Sequence, residues 1–215
     1  MSGIGLGKAQ ATDCSPAKLS KEHRRMLEEE SGISTEVVAG RGYYTAERRD
    51  ELPGVFSGRQ RRRGLVIPVL SPSGIMGYRL RPDKPINPKR KYEQPIGVPN
   101  ALDVHPFNFE RVRDVSADLW IVEGEKKADS LASRGECAIA ITGVWNWCVP
   151  GTNGTELLPC WDHVALQGRN VYVAFDSDVL TNANIQLALT RLVVLLEDRV
   201  TRGVQVVYLP EVYGG

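Results

Sequence analysis

The sequence predicts an α/β protein: a parallel sheet flanked by helices, preceded by a small basic α+β subdomain. Three observations lead to that class. From Asp118 onward, short apolar runs alternate with helical runs, the pattern of parallel strands joined by crossover helices and covered on both faces. Upstream, Leu65–Leu70 and Ile75–Arg81 flank the turn sequence Ser71-Pro72-Ser73-Gly74 and read as a β-hairpin. Two apolar runs of the second half also end on carboxylates, at Glu123 and at Asp176 with Asp178, where open α/β sheets place their ligands.

Composition sets the outer bounds. A chain of 215 residues, 42% hydrophobic and 25% charged, can bury a full core in one large domain or in one domain with an appendage. A net charge of +1 gives no global attraction for nucleic acid, so any such case must rest on local clustering. There is no apolar run of about 18 residues, and Met1–Lys8 lacks the apolar core of a secretory signal. A cytoplasmic protein with no membrane partner is expected. Cys14, Cys137, Cys148 and Cys160 form no C-x-x-C pair and, with His23, His105 and His163, show no zinc spacing. Buried reduced thiols are expected, and no structural zinc.

The chain divides at 1–58, 59–117 and 118–215. The first segment reads as a Gly/Ala/Ser-rich tail over 1–17, then a helix over Lys21–Glu30 capped by Ser20 and stopped by Gly32. A short helix over 33–38, capped by Ser34, completes the helical appendage, whose charges read as a solvated face. The second segment carries the hairpin. Pro68 implies a free edge or a bulge in its first strand, and Arg79 and Arg81, two apart on the second strand, share a face. Residues 92–117 read as a Pro-rich connector.

In the third segment, strand Leu119–Val122 leads to helix Glu125–Arg134, with Ala128, Leu131 and Ala132 on one face and Gly135 as its stop. Strand Cys137–Ile141 follows, then a loop with Trp145 and Trp147, a short helix near Glu156–His163, and strand Asn170–Phe175. A long helix over 182–199 has a broad apolar face from Ile185 to Leu196. Gly203 closes it, and Val204–Leu209 is a last strand.

Charge is distributed unevenly. Ten Lys or Arg lie between Arg59 and Lys91, with Arg41 just upstream, against one acid, Asp83. Such a cluster can bind phosphates, and it can equally be a solubilising surface. The carboxylates carry more. One Glu plus an Asp-x-Asp pair suits a hard divalent cation that keeps positions for water and substrate phosphate. Three carboxylates crowded without a cation would repel one another and raise each other's pKa. Each taken alone reads as a helix cap or a residue near a helix N-terminus. Taken jointly, in one α/β unit, they favour a metal site.

Ile121-Val122-Glu123-Gly124-Glu125-Lys126-Lys127-Ala128-Asp129-Ser130-Leu131-Ala132, followed by Ala174-Phe175-Asp176-Ser177-Asp178, resembles a Toprim domain, the catalytic module of bacterial-type DNA primases, type IA and type II topoisomerases and some nucleases. The resemblance covers 118–210. Upstream, Arg63–Val69, Gly74–Arg81 and Lys91-Tyr92 are similar to the basic subdomain that precedes Toprim in bacterial-type primases, and the whole chain resembles primase-like Toprim proteins of phages and plasmids.

The resemblance implies a primase-like nucleotidyltransferase in DNA replication, with Glu123, Asp176 and Asp178 as catalytic residues holding Mg²⁺ or Mn²⁺. It further implies that Arg79, Arg81, Lys89, Arg90, Lys91, Lys126 and Lys127 bind single-stranded DNA template or nucleoside triphosphate. Trp145 and Trp147 either stack on a base or pack beneath their loop. The chain departs from the family in carrying Lys127 where many primases place an acid, and in lacking an N-terminal zinc module and a P-loop. It ends just after its last strand, which suggests a fragment of a longer protein whose other domains include a helicase or another replication module. A Toprim nuclease and a non-catalytic nucleic-acid-binding module remain as alternatives.

Overall fold

In a computed structural model of the chain, residues 18–74, 76–88, 90–199 and 202–208 are described, apart from the side chains of Met76, Ser177 and Asp178. The expected tail over 1–17, Cys14, Ile75, Lys89 and the end of the last strand at Leu209 lie outside these residues.

The first half holds the two expected helices and the hairpin, with shifted bounds, more strand and more burial. Helix α1 (Lys21–Arg25) is capped by Ser20, whose side chain accepts from the His23 amide, and runs into a π-helical turn at Met26–Glu30. Helix α2 (Thr35–Arg41) is capped by Ser34, which accepts from the Val37 amide. A strand not foreseen, β1 (Tyr44–Ala46), joins the hairpin strands β2 (Gly64–Leu70) and β3 (Met76–Pro82) in an antiparallel sheet of order β1-β2-β3.

Alternation along β2 sorts its side chains. Leu65 and Ile67 pack with Leu27, Ile33, Val37 and Val38 of the helical segment, and Val66 packs with Ala46, Phe56 and Leu80 on the other face. Pairing between β1 and β2 extends only to Tyr44↔Val66, so Pro68 sits beyond β1, opposite Tyr78 of β3, in the locally free edge that its missing N–H demands. Gly64 is required by close approach: a Cβ there would lie 2.4 Å from the Arg81 carbonyl oxygen.

The second half is a five-stranded sheet of order β4-β6-β5-β7-β8. Its strands are β4 (Asp103–Val104), β5 (Leu119–Glu123), β6 (Cys137–Ile141), β7 (Val171–Ala174) and β8 (Val204–Val206). Four run parallel; β4, which lies within the stretch read as connector, pairs antiparallel at the edge. Both faces are covered. Helix α3 (Glu125–Ala132) lays Ala128 on Val122, Ala138, Ala140 and Ala174, and the small residues let it approach closely. Helix α4 (Ala183–Glu197) packs Ile185, Leu189, Leu192 and Leu196 on Ile121, Ile139, Val171 and Val173.

Several expected bounds change in detail: the helix read over 33–38 covers Thr35–Arg41, the long helix covers Ala183–Glu197, the strand read over Asn170–Phe175 covers Val171–Ala174, and the last strand covers Val204–Val206. The short helix near 156–163 is a 3-10 turn over Pro159–His163, and the helix expected to reach Arg134 ends at Ala132. The described cysteines Cys137, Cys148 and Cys160 are free and buried.

The appendage charges do not all form a solvated face. Arg41 is fully buried, with Nη1 2.7 Å from Asp103 Oδ1 and Nη2 2.5 Å from Asp129 Oδ1. Its Nη1 also donates to the Pro68 carbonyl, and the Tyr43 hydroxyl donates to Asp129 Oδ2. This buried cluster joins α2, β2, β4 and α3, and so fixes one sheet against the other. Asp103 Oδ1 also accepts from the Leu70 amide, while its Oδ2 has no hydrogen-bond partner among the described residues.

Candidate functional site

The chain passes from β5 through α3 to β6 on one side, and β7 then pairs on the other side of β5. Strand order therefore reverses at β5, and the carboxyl ends of β6, β5 and β7 open together there, the position open α/β sheets use for ligands. Thr142, Glu123 and Asp176 follow or close those three strands, and all line one cleft of about 340 Å³. The register Val122↔Ala174 places Glu123 one residue, and Asp176 two residues, past the last paired position.

Gly124 makes the turn that exposes this end. It has φ 87° and ψ 143°, a region closed to side-chain-bearing residues, and its amide donates to the Ile141 carbonyl. Helix α3 starts at the next residue, so Glu125, Lys126 and Lys127 fall on its first turn beside Glu123.

Basic residues from both halves close the cleft. Arg79 and Arg81 of β3, Lys91 and Tyr92 of the following loop, and Lys126 and Lys127 line it with the carboxylates. Of the residues expected at the site, the described side chains of Glu123, Asp176, Arg79, Arg81, Lys91, Lys126 and Lys127 thus come together. Arg90 does not line this cleft, and Lys89 and the Asp178 side chain lie outside the described residues. Asp178 itself falls in the 3-10 turn Ser177–Leu180 just after Asp176. Among the described residues no group of three or more His, Cys, Asp or Glu is placed to hold a metal ion.

The cations are held in different ways. Arg79 Nη1 lies 2.9 Å from both carboxylate oxygens of Glu125, which is almost fully buried, and the guanidinium stands 4.9 Å from the Tyr92 ring centre. Lys126 Nζ lies 3.1 Å from Ser31 Oγ, and burial, then the neighbouring Arg81, lower its pKa. Arg81 reaches Met26 Sδ through Nη1. Lys127 forms an ion pair with Asp176.

Other arginines of the basic cluster serve the fold. Arg61 donates to the carbonyls of Phe56, Arg49 and Pro53, and Arg63 pairs with Glu47 and Asp83. The residues that sequence reasoning missed are Thr142, Tyr92 as a ring for Arg79, and Glu125 as its anchor. Lys91-Tyr92 stood in the motif, but nothing in the local pattern marked Glu125 as a buried acid. Of the two loop tryptophans, Trp147 is fully buried and donates to the Val144 carbonyl, so it packs. Trp145 is partly buried and donates to Asn184 Oδ1.

A family profile described as a domain of unknown function (DUF3854) matches residues 109–215. No curated protein sequence matches the chain. Among solved structures, the chain is similar to the zinc-binding and RNA polymerase domains of the Aquifex aeolicus primase, at 19% identity and TM-score 0.59, covering 90% of this chain and 51% of that one. It is similar to the DnaG catalytic core at 18% identity and TM-score 0.58, covering 86% and 64%. A DNA primase domain from Pseudomonas aeruginosa matches at 17% identity and TM-score 0.58, covering 89% and 64%. The fold is that of primase catalytic cores, and the chain spans between 51% and 64% of the length of these structures.

Proposed function

We propose that the chain is a primase-like nucleotidyltransferase core of the Toprim type, acting on single-stranded DNA with nucleoside triphosphates in the replication of a mobile element such as a phage or plasmid. The observation that carries this reading is the cleft itself: Glu123 and Asp176, from adjacent strand ends, share it with Arg79, Arg81, Lys91, Lys126 and Lys127. Carboxylates facing a ring of phosphate-binding cations suit a reaction in which a polyanionic triphosphate meets a hydroxyl nucleophile.

The donor set fits a hard divalent cation. Glu123 and Asp176 offer carboxylate oxygens in an open cleft with room for water and phosphate. Glu123, Asp176 and Asp178 would hold Mg²⁺ or Mn²⁺, which on binding would acidify the attacking 3′-hydroxyl and neutralise the departing pyrophosphate. Arg81, Lys91 and Lys126 bind phosphate oxygens of template or nucleotide. Arg79, anchored on Glu125 and stacked by Tyr92, presents a fixed guanidinium to the same charge.

One observation favours a second reading. The Lys127–Asp176 ion pair neutralises an expected metal ligand, as a non-catalytic binding module would tolerate. The test incubates the chain with single-stranded DNA, labelled nucleoside triphosphates and Mg²⁺ or Mn²⁺, beside Glu123→Gln and Asp176→Asn. Metal-dependent oligomer synthesis lost in both variants supports the proposal. Shortened DNA would mean a nuclease using the same residues on water, and salt-sensitive binding indifferent to both substitutions would leave only the binding module.

A further inference from the structure

We propose that Lys127 is the resident counter-ion of this cleft: its ammonium holds Asp176 until a divalent cation displaces it, and the released side chain then takes a phosphate of the bound nucleotide or template. The inference rests on the metal-site reading of Glu123 and Asp176 given above.

The geometry makes the exchange direct. Lys127 stands on the first turn of α3, four residues after Glu123, and reaches across the cleft to the carboxylate that follows β7. A divalent cation and the ammonium thus seek the same oxygen. Electrostatics decides which wins. The two side chains are 40% and 46% exposed, so solvent screens the pair and holds it only weakly. A doubly charged ion can replace it, but against repulsion from the ammonium, which must move away.

The destination is set by the surroundings. Arg81, Lys91 and Lys126 already line the cleft beside Arg79, which Glu125 pairs, so the released lysine is repelled by its neighbours unless an anion enters with it. Phosphate meets that need, and the open N-terminal turn of α3 adds backbone N–H groups beside the lysine. Metal and phosphate are therefore linked through one side chain. Each strengthens the other's binding, and the coupling must be reciprocal. The bare metal binds weakly, and metal with a phosphate ligand binds well.

The test measures Mn²⁺ binding to the full chain by electron paramagnetic resonance of the free ion, in the parent protein, Lys127→Met and Asp176→Asn. Removing one positive charge about 5 Å from a divalent ion in a water-accessible site lowers the Mn²⁺ dissociation constant roughly tenfold in Lys127→Met. Asp176→Asn raises it. A second arm follows the fluorescence anisotropy of a labelled oligothymidylate with and without Mn²⁺; the tightening that Mn²⁺ brings is larger in the parent than in Lys127→Met. Lys127→Gln serves if the methionine variant fails to fold. An unchanged or weaker Mn²⁺ affinity in Lys127→Met, with Asp176→Asn still impaired, overturns this inference and leaves the metal site standing. An equal Mn²⁺ response of the oligonucleotide overturns the transfer to phosphate. No Mn²⁺ bound by either the parent or Lys127→Met removes both the inference and the metal site beneath it.

Discussion

Arg79 shows how much a single position can hide. From sequence it was read, with Arg81, as a cation for template or nucleotide, yet its partner Glu125 is almost fully buried and the two close one wall of the cleft. Removing the arginine leaves a buried carboxylate without its counter-charge, which costs about 3–5 kcal/mol. Urea unfolding of Arg79→Ala should therefore show a loss of that order, and Arg79→Ala with Glu125→Ala should recover part of it. A loss below about 1 kcal/mol, the range of exposed pairs, would show that the pair is only a surface contact. Asp103 makes a second prediction. Burial first, opposed by Arg41 and reinforced by Glu125 and Asp129, raises its pKa from 3.8 to about 6. The folded state then holds a proton that the unfolded state releases, so unfolding free energy falls as pH rises through about 4 to 6 and levels above. Asp103 Oδ2, which has no hydrogen-bond partner among the described residues, is the oxygen left open to that proton. Stability measured between pH 4 and pH 8 should carry this slope, and Asp103→Asn should flatten it.

At the scale of elements, legibility followed length and pattern. β5, β6, β7, α3 and α4 were readable because apolar runs and helical periodicity are long enough to exclude alternatives. β1 and β4, of three and two residues, were not, because a strand that short has no periodicity of its own and exists only by pairing with β2 and β6. The carboxylates could be singled out because each follows an apolar run, Glu123 before Gly124 and Asp176 before Ser177-Asp178. Part of their company was legible too, in Arg79, Arg81, Lys91, Lys126 and Lys127, but Thr142 arrives by topology, and the partners of Lys126 and Lys127 lie at Ser31 and Asp176. Gly124 is the hinge between the strand and the helix that carry the site. Gly124→Ala meets no neighbouring atom, so its whole cost is the backbone conformation at φ 87°, about 1–3 kcal/mol. Thermal or urea unfolding should register that loss, and phosphate-ligand affinity should fall with it as Lys126 and Lys127 shift.

On the scale of the molecule, two sheets meet and the cleft exists because they are held at a fixed offset. Arg41 does much of that, binding Asp103 of β4, Asp129 of α3 and the Pro68 carbonyl of β2 from its place at the end of α2. Counting Arg41 with the basic cluster was the least accurate part of the charge reading, since its side chain is fully buried. Arg169 plays the matching role elsewhere, donating to the carbonyls of Ala117, Val112, Ala165 and Arg111. Arg41→Met should cost about 3–5 kcal/mol, because two buried carboxylates lose their shared cation. Unfolding followed separately by tryptophan fluorescence and by circular dichroism measures it; a loss under about 1 kcal/mol would mean that apolar packing alone fixes the sheets.

The central claim, that the strand ends of β5 and β7 form a divalent-metal site facing bound phosphate, is tested most directly by crystals of the chain grown with Mn²⁺ and a non-hydrolysable nucleoside triphosphate. The account predicts an anomalous peak within about 2.0–2.3 Å of carboxylate oxygens from both Glu123 and Asp176, with the phosphates on the metal and on the surrounding cations. Bound nucleotide with no peak there, or with Asp176 still paired to Lys127 and the metal held elsewhere, would contradict it.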